Sequence, residues 1–477
     1  MLQAIKGDKV LWGILALLAI FSFLPVFSAS SNLAYVVGRG TPWGYLIKHF
    51  VILSIGFVLM FSVHKIPYNY FKGISILMLP VVVLLLVYTA SQGTVIDGAN
   101  ASRWIRIPFI GLSFQTSTLA SVVCMVYTAT FFSKYKDQLG SFKNSLIRLW
   151  LPIFIVVLLI FPSNLSTAAL LFLMVLIVSF VAGYPIKYLL AICGTGLAAV
   201  LLFFLLVKAF PGVFPNRVDT WMSRVENFRS GESADGNYQI ERAKTAIVTG
   251  KIFGVGAGKS RMKNFLPQSS SDFIYAIIVE EFGLIGGIGL IILYLLLLFR
   301  IVVISFKATD VFGKLVVIGL GIPIIFQAFI NMGVNLGLLP TKGLTLPFVS
   351  YGGSSVLACA ASLGILLRIS LENSVTYGTL KAENDVHLDL RHKTLDTLNT
   401  DVTPGLDDVD QWFVDGIRSI QFRFGDDGRT IPFGSYFVDN INVYSVTTLG
   451  YRSVASVINF TLTVPNAPSS IVLTPAD

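Results

Sequence analysis

Ten apolar stretches, each near the roughly 20 residues a helix needs to cross a bilayer core, constrain this chain more than any other feature. They lie near 11–29, 46–63, 74–91, 115–133, 149–162, 165–183, 187–209, 272–299, 311–333 and 349–371, the fifth being short for a span. Hydrophobic residues make up 54% of the chain and charged residues only 13%, about half the share in an ordinary globular domain, which excludes a soluble protein of this length. The first stretch has the size of a signal peptide but no small-residue cleavage site, and nine more spans follow, so it reads as a retained helix. The expected fold class is an all-α polytopic membrane protein of about ten transmembrane helices, with a small β-rich C-terminal region.

Lys and Arg in the short loops set an expected orientation. Lys6 and Lys9, Lys65 and Lys72, Lys134 to Arg148, Lys187, and Arg300 to Lys314 alternate onto one side, which places the N-terminus in the cytoplasm. The opposite side receives 30–45, 92–114, the long loop 210–271 and 334–348. Through Leu371 the chain holds 28 basic against 12 acidic residues, and beyond it 7 against 14. This shift divides it into a membrane domain 1–371, a linker 372–400 and a small β-rich domain 401–477 of unknown origin. The last is read from alternating runs at Ser419–Phe424, Asn442–Thr447 and Ser456–Val464, with a turn at 425–428.

Cys124, Cys193 and Cys359 lie in apolar stretches and read as small core residues. His49 and His64 have no ligand-spaced partner, which argues against a zinc site and against a Ser-His-Asp triad.

Three polar features remain. The long loop carries nine basic residues, among them Arg217, Arg242, Lys259 and Lys263. They form either a headgroup-attracted surface or an anion site suited to pyrophosphate. Its glycines 250, 254, 256 and 258 either let backbone approach a bulky headgroup or simply make turns. Asp272 opens an apolar run, so it is either a helix N-cap or a carboxylate at the water boundary usable as a general base. Glu280 and Glu281 follow about two turns on, where ionised groups face a cavity or a partner. Helical spacing sets them about 80° and 180° around the axis from Asp272, so only Glu280 could flank the same cavity. The Pro- and Gly-rich loop from Asn331 to Ser355 reads as a cavity wall more readily than as a plain connector.

The run GLLPTKGLTLPFVSYGGSS at 337–355 resembles the signature of the SEDS family (shape, elongation, division and sporulation), the FtsW and RodA peptidoglycan polymerases, with Thr341-Lys342-Gly343 in the form most like FtsW. The resemblance covers about 1–371. It is supported by Ala101-Ser102-Arg103-Trp104-Ile105, by Phe161–Thr167, by Tyr238-Gln239 with Gly254-Val255-Gly256, and by Ser271–Gly283. Two departures stand out. Gln115–Ser121 lacks the family's frequent acid and base, and Asn164 replaces a frequent Asp.

The resemblance implies a peptidoglycan glycosyltransferase that polymerises lipid II at the outer face of the bacterial cytoplasmic membrane during cell division, with Asp272 as catalytic base. Substrate-binding residues would be Arg103, Arg217, Arg242, Lys259, Lys263, Lys342 and Ser354. A divalent cation, Mg or Mn, could share the charge on the leaving pyrophosphate, although the sequence holds no dedicated metal cage. Implied partners are lipid II, a class B penicillin-binding protein transpeptidase, other division proteins and membrane lipids, and no nucleic acid. The alternatives are a lipid II flippase and a non-catalytic division scaffold.

Overall fold

The computed structural model describes residues 7–35, 40–91, 95–96, 99–100, 104–106, 113–136, 142–209, 234–340 and 343–372, with the short strands of the tail. Residues 1–373 and 374–477 form two separate units. In the first unit the helices are α1 Lys9–Tyr35, α2 Pro42–His64, α3 Tyr70–Ser91, α4 Thr116–Lys134, α5 Phe142–Ile160, α6 Leu165–Val181, α7 Ile186–Ala209, α8 Ala234–Gly250, α9 Ile274–Lys307, α10 Val311–Asn335 and α11 Gly353–Glu372. Among the described residues, eight are long and apolar enough to cross a membrane, and α6 and α7 contribute shorter apolar helices. The chain is therefore a multi-pass helical membrane protein. Its outward faces are as apolar as its core: Leu77 and Leu84, two turns apart on α3, are 73% and 69% exposed. Such a surface suits hydrocarbon and not water.

Several expectations are refined. The short fifth stretch becomes a full 19-residue helix because a π-helical turn at Leu146–Trp150 joins Phe142–Ser145 to Leu151–Ile160. The 210–271 segment is not merely a loop: it contains α8, packed on α9. Hairpin strands β3 (Trp104–Arg106) and β4 (Ser113–Gln115) lead into α4, preceded by β1 (Val95–Ile96) and β2 (Ala99–Asn100). Cys193 is exposed on α7, which corrects its reading as a core residue, whereas Cys124 and Cys359 are buried. Asn164 keeps the capping role open to an Asp, accepting a hydrogen bond from the Thr167 N–H at 3.2 Å at the start of α6.

Helices in lipid associate through close packing and buried polar bonds, because hydrocarbon gives no hydrophobic drive between them. A Cβ on Gly364 of α11 would lie 2.8 Å from the Met60 carbonyl oxygen of α2, and one on Gly321 of α10 would lie 2.6 Å from Ile301 of α9. Arg300 of α9 pairs with the nearly buried Asp8. His49 of α2 meets Ser22 of α1 at 2.8 Å.

In the second unit β5 (Ile417–Phe424) is central, pairing antiparallel with β6 (Arg429–Pro432) and β9 (Ser470–Pro475). A separate pair joins β7 (Asn442–Val443) to β8 (Ile458–Asn459). The linker from 373 onward and the turn at 425–428 lie outside the described residues.

Candidate active site

Asp272 is carried by a turn that ends just before α9. Gln268 takes a left-handed conformation, φ +58°, which aims its carbonyl at the next residues. That oxygen accepts from the N–H groups of Ser271 and Asp272, both at 3.1 Å, and of Phe273 at 3.3 Å. Helix α9 begins at Ile274 with Phe273 in the cap position and no side-chain cap bond. The N-cap reading of Asp272 is thus corrected: the cap position falls at Phe273, one residue on, and the Asn335 side chain from α10 serves the Ala276 N–H, the third of the helix. The Asp272 side chain is half-buried, and a Cβ on Gly343 would lie 3.2 Å from its Oδ2.

Helix α10 supplies the frame. Gln327, Asn331 and Asn335 recur every four residues along it, on one slowly drifting face. Asn331 Nδ2 donates to the Asp272 carbonyl at 2.8 Å and to the Leu344 carbonyl at 2.6 Å. Asn335 Nδ2 donates to the same Asp272 carbonyl at 3.0 Å, while its Oδ1 accepts from the Ala276 N–H at 3.1 Å. Gln327 Nε2 donates to the Thr345 carbonyl at 2.8 Å and to the Ser355 hydroxyl at 3.3 Å. A second tie runs through Ser350, whose hydroxyl accepts from the Leu346 N–H at 2.7 Å and donates to the Ser271 carbonyl at 2.6 Å. Beside it, the Tyr351 N–H donates to the Ser270 carbonyl at 2.9 Å. Between these ties Phe348, 1% exposed, holds φ +62°, a conformation a bulky residue keeps only when its surroundings dictate it. The irregular 343–351 loop is therefore one wall of the Asp272 site.

Glu280 and Glu281 have a different task. Both are buried, and the partners they were expected to need are a hydroxyl of α1 and the hydroxyl and N–H groups of the loop after α8. Glu280 accepts from the Ser260 hydroxyl, from the Arg261 N–H at 2.9 Å and from the Met262 N–H at 3.3 Å. Glu281 accepts from the Ser28 hydroxyl and from the Ser260 N–H at 3.3 Å. Glu280 thus does not flank the Asp272 site: its carboxylate is consumed in anchoring 260–262.

The glycines explain why that loop comes so near. At Gly283, φ +69° and ψ −169°, α9 breaks. The carbonyls of Glu280 and Glu281 accept from the Val255 N–H at 2.9 Å and the Gly256 N–H at 3.0 Å, and the Leu284 N–H donates to Lys251 O at 2.8 Å. A Cβ on Gly250 would lie 1.9 Å from the Val279 oxygen, and one on Gly254 2.2 Å from the Glu281 oxygen. What these two glycines admit at close range is a broken helix and not a ligand headgroup. The break leaves 284–307 about 36 Å long, enough to cross a hydrocarbon core of ~30 Å without 274–282.

The basic residues separate by environment. Lys263 Nζ donates to Ser28 Oγ at 3.1 Å and to the Gly258 carbonyl at 2.9 Å, so its charge is spent inside the loop anchor. Lys259 is exposed. Arg242, half-buried, has its guanidinium 4.9 Å from the Tyr238 ring and 5.7 Å from the Phe265 ring. Among the described residues neither Arg242 nor Lys259 joins an ion pair. Ser354 is buried in the first turn of α11. Arg103, Arg217 and Lys342 lie outside the described residues. Among the described residues no three His, Cys, Asp or Glu side chains converge, so the residues present do not form a protein cage for a divalent cation.

Sequence reasoning singled out Asp272 and the 337–355 run but missed Gln327, Asn335 and Ser350. The first two could have been found, since with Asn331 they place amides four residues apart in an otherwise apolar helix. Ser350 lies in the run but nothing local marks its bond to Ser271, 79 residues away, nor that of Ser28 to Glu281, 253 residues away.

Residues 8–375 match the family of cell cycle proteins that comprises FtsW, RodA and SpoVE. The chain is 36% identical over 377 residues to a protein of Hydrogenovibrio crunogenus called "Probable peptidoglycan glycosyltransferase FtsW", covering 76% of this chain and 92% of that one. It is 33% identical over 379 residues to the protein of the same name from Geobacter sp., covering 77% and 98%. Among solved structures it resembles one described as "Structural coordination of polymerization and crosslinking by a peptidoglycan synthase complex", with 25% identity, TM-score 0.60 and coverage of 77% and 98%. It also resembles the Thermus thermophilus rod shape determining protein RodA, with 25% identity, TM-score 0.53 and coverage of 76% and 96%.

Proposed function

Because this chain belongs to the FtsW, RodA and SpoVE family of cell cycle proteins, we infer that it is a peptidoglycan glycosyltransferase, which polymerises lipid II into glycan strands. The C4 hydroxyl of one lipid-linked disaccharide attacks the anomeric carbon of another. A C–O bond forms there, the bond to undecaprenyl pyrophosphate breaks, and the hydroxyl proton passes to the Asp272 carboxylate. A sugar hydroxyl is a poor nucleophile at neutral pH, so a positioned carboxylate is what this step requires. The observation that carries the assignment is that the half-buried Asp272 sits on a turn just ahead of α9, held from α10 and from the 343–351 loop. The leaving pyrophosphate would meet Arg242 and Lys259, with Arg103, Arg217, Lys342 and Ser354 as further candidate contacts.

The Lys and Arg distribution supports a cytoplasmic N-terminus, which puts Asp272 on the outer face, where lipid-linked substrate is presented. The fold likeness to a protein of a complex that couples polymerisation to crosslinking supports a transpeptidase of the penicillin-binding class as partner. The deciding experiment is polymerisation of lipid II by purified protein, with and without that transpeptidase, for the parent and Asp272→Ala. Loss of polymerisation with lipid binding retained supports the enzyme. Polymerisation undiminished in Asp272→Ala rejects Asp272 as base, and no polymerisation by the parent in either condition points to a flippase or a scaffold.

Neutralising Arg242 and Lys259 together is expected to raise KM for the lipid-linked substrate about tenfold and to flatten its salt dependence, because charge-assisted contacts to phosphate are lost. An unchanged KM across ionic strength rejects that anion site. Lys263→Met should instead lower thermal stability, since its ammonium ties Ser28 to Gly258. Truncation after Asn373 is expected to leave polymerisation in place, because every motif of the membrane unit lies before it. A folded, membrane-inserted truncation without activity would show that the tail takes part.

A further inference from the structure

Asp272 lies just ahead of α9, whose cap position is Phe273, and its turn is held from another helix. Its backbone carbonyl accepts two carboxamide hydrogen bonds from α10, at 2.8 Å from Asn331 and 3.0 Å from Asn335. Both asparagines are buried, 2% and 0% exposed, and their donors are fully assigned. Asn331 Nδ2 serves Asp272 and Leu344, and Asn335 Nδ2 serves Asp272 and the Asn331 carbonyl at 2.8 Å. A single amide group thereby joins the turn that bears the carboxylate to the loop that walls it. With the Ser350 tie, the turn is fixed from two sides by elements distant in sequence.

We propose that Asn331 and Asn335 are positioning residues for Asp272: a carboxamide clamp on α10 sets the reach of the carboxylate and the width of the gap to the 343–351 loop. The inference rests on the reading of Asp272 as the base. Buried amides in a transmembrane helix are costly unless all their groups are bonded, and these spend their bonds on the two segments that enclose Asp272. Misplacing a reacting group by about 1 Å costs up to 10²-fold in rate even when binding persists, so the clamp acts on kcat and not on KM.

The test is Asn331→Asp and Asn335→Asp in the full-length protein, assayed for lipid II polymerisation together with Asp272→Ala. Aspartate keeps the side chain's shape but removes the donors and turns an oxygen toward the Asp272 carbonyl. The expected result is a 10- to 100-fold fall in kcat per folded molecule, KM for lipid II within twofold, and a displaced acid limb in the pH–rate profile. Asn331→Gln should recover part of the loss, since it restores the donors. Ser350→Ala, a lighter change on a loop, is expected to give the same kcat-selective loss and serves where an aspartate variant does not fold. Normal kcat in a folded Asn331→Asp, Asn335→Asp or Ser350→Ala variant overturns the clamp, as does a drop in thermal stability alone. Activity persisting in Asp272→Ala would instead overturn the base assignment beneath it, so the two failures are distinct.

Discussion

Asp272→Asn is expected to insert and fold like the parent and to lose polymerisation by about 10²- to 10⁴-fold, the contribution of a general base. The turn that bears residue 272 is fixed through backbone atoms: its N–H donates to Gln268 and its carbonyl accepts from Asn331 and Asn335. Asparagine leaves all of these in place, and at a helix start it serves about as well as aspartate. What it removes is the capacity to accept a proton. Thermal unfolding and polymerisation of the purified variant, measured side by side, check the separation. A near-parental rate would reject Asp272 as the base. Glu280 could not take its place, because both of its carboxylate oxygens are bonded to residues 260–262, and Glu281 is held through Oε1 by Ser28 and Ser260.

Gly254→Ala and Gly250→Ala should be among the most damaging single-methyl additions in the protein. Gly254 has φ +82°, and its added Cβ would meet the Glu281 oxygen at 2.2 Å. A left-handed backbone costs an alanine about 1–2 kcal/mol. Displacing the loop would also break its bonds to the Glu280 and Glu281 carbonyls, about 1–3 kcal/mol for each buried group left unmade. A loss of about 4 kcal/mol or more is expected, read as a collapse of folded yield and of the thermal midpoint. Gly250→Ala reaches a similar outcome at ordinary φ through its 1.9 Å approach to the Val279 oxygen. The control is Gly289→Ala in the same helix, where nothing lies within 4 Å, and where Ala is the better helix former by up to about 1 kcal/mol. Equal stability of Gly254→Ala and Gly289→Ala would show that the loop does not pack on the broken helix as described.

Much of this was legible in the sequence, and the reason is the membrane. A chain that must satisfy its own backbone in hydrocarbon has few options, so runs of about 20 apolar residues translate directly into helices. Helices appear at all ten apolar stretches, the short fifth one included. The 337–355 run was recognisable as a cavity wall, because irregular backbone at membrane depth survives only where it is buried in protein or lines a cavity, and Asp272 stood out as a base through the resemblance of Ser271–Gly283 to the family. What each polar residue does there was not legible. Asp272 and a capping Asp look alike in one dimension; in the structure the cap position falls at Phe273, and Asn335, 59 residues from Ala276, serves that residue's N–H. Glu280 and Glu281 read as intramembrane charges facing a cavity, yet Gly283 breaks the helix beside them and the loop from 250 to 263 closes over them. Lys263 counted as one basic residue among nine until its ammonium was found between Ser28 and Gly258. The sequence by itself determined where the helices run, because that depends on local hydrophobicity. Only the tertiary structure decided which buried polar group serves chemistry and which serves packing, because that depends on hydrogen-bond partners brought together from as far as 253 residues apart.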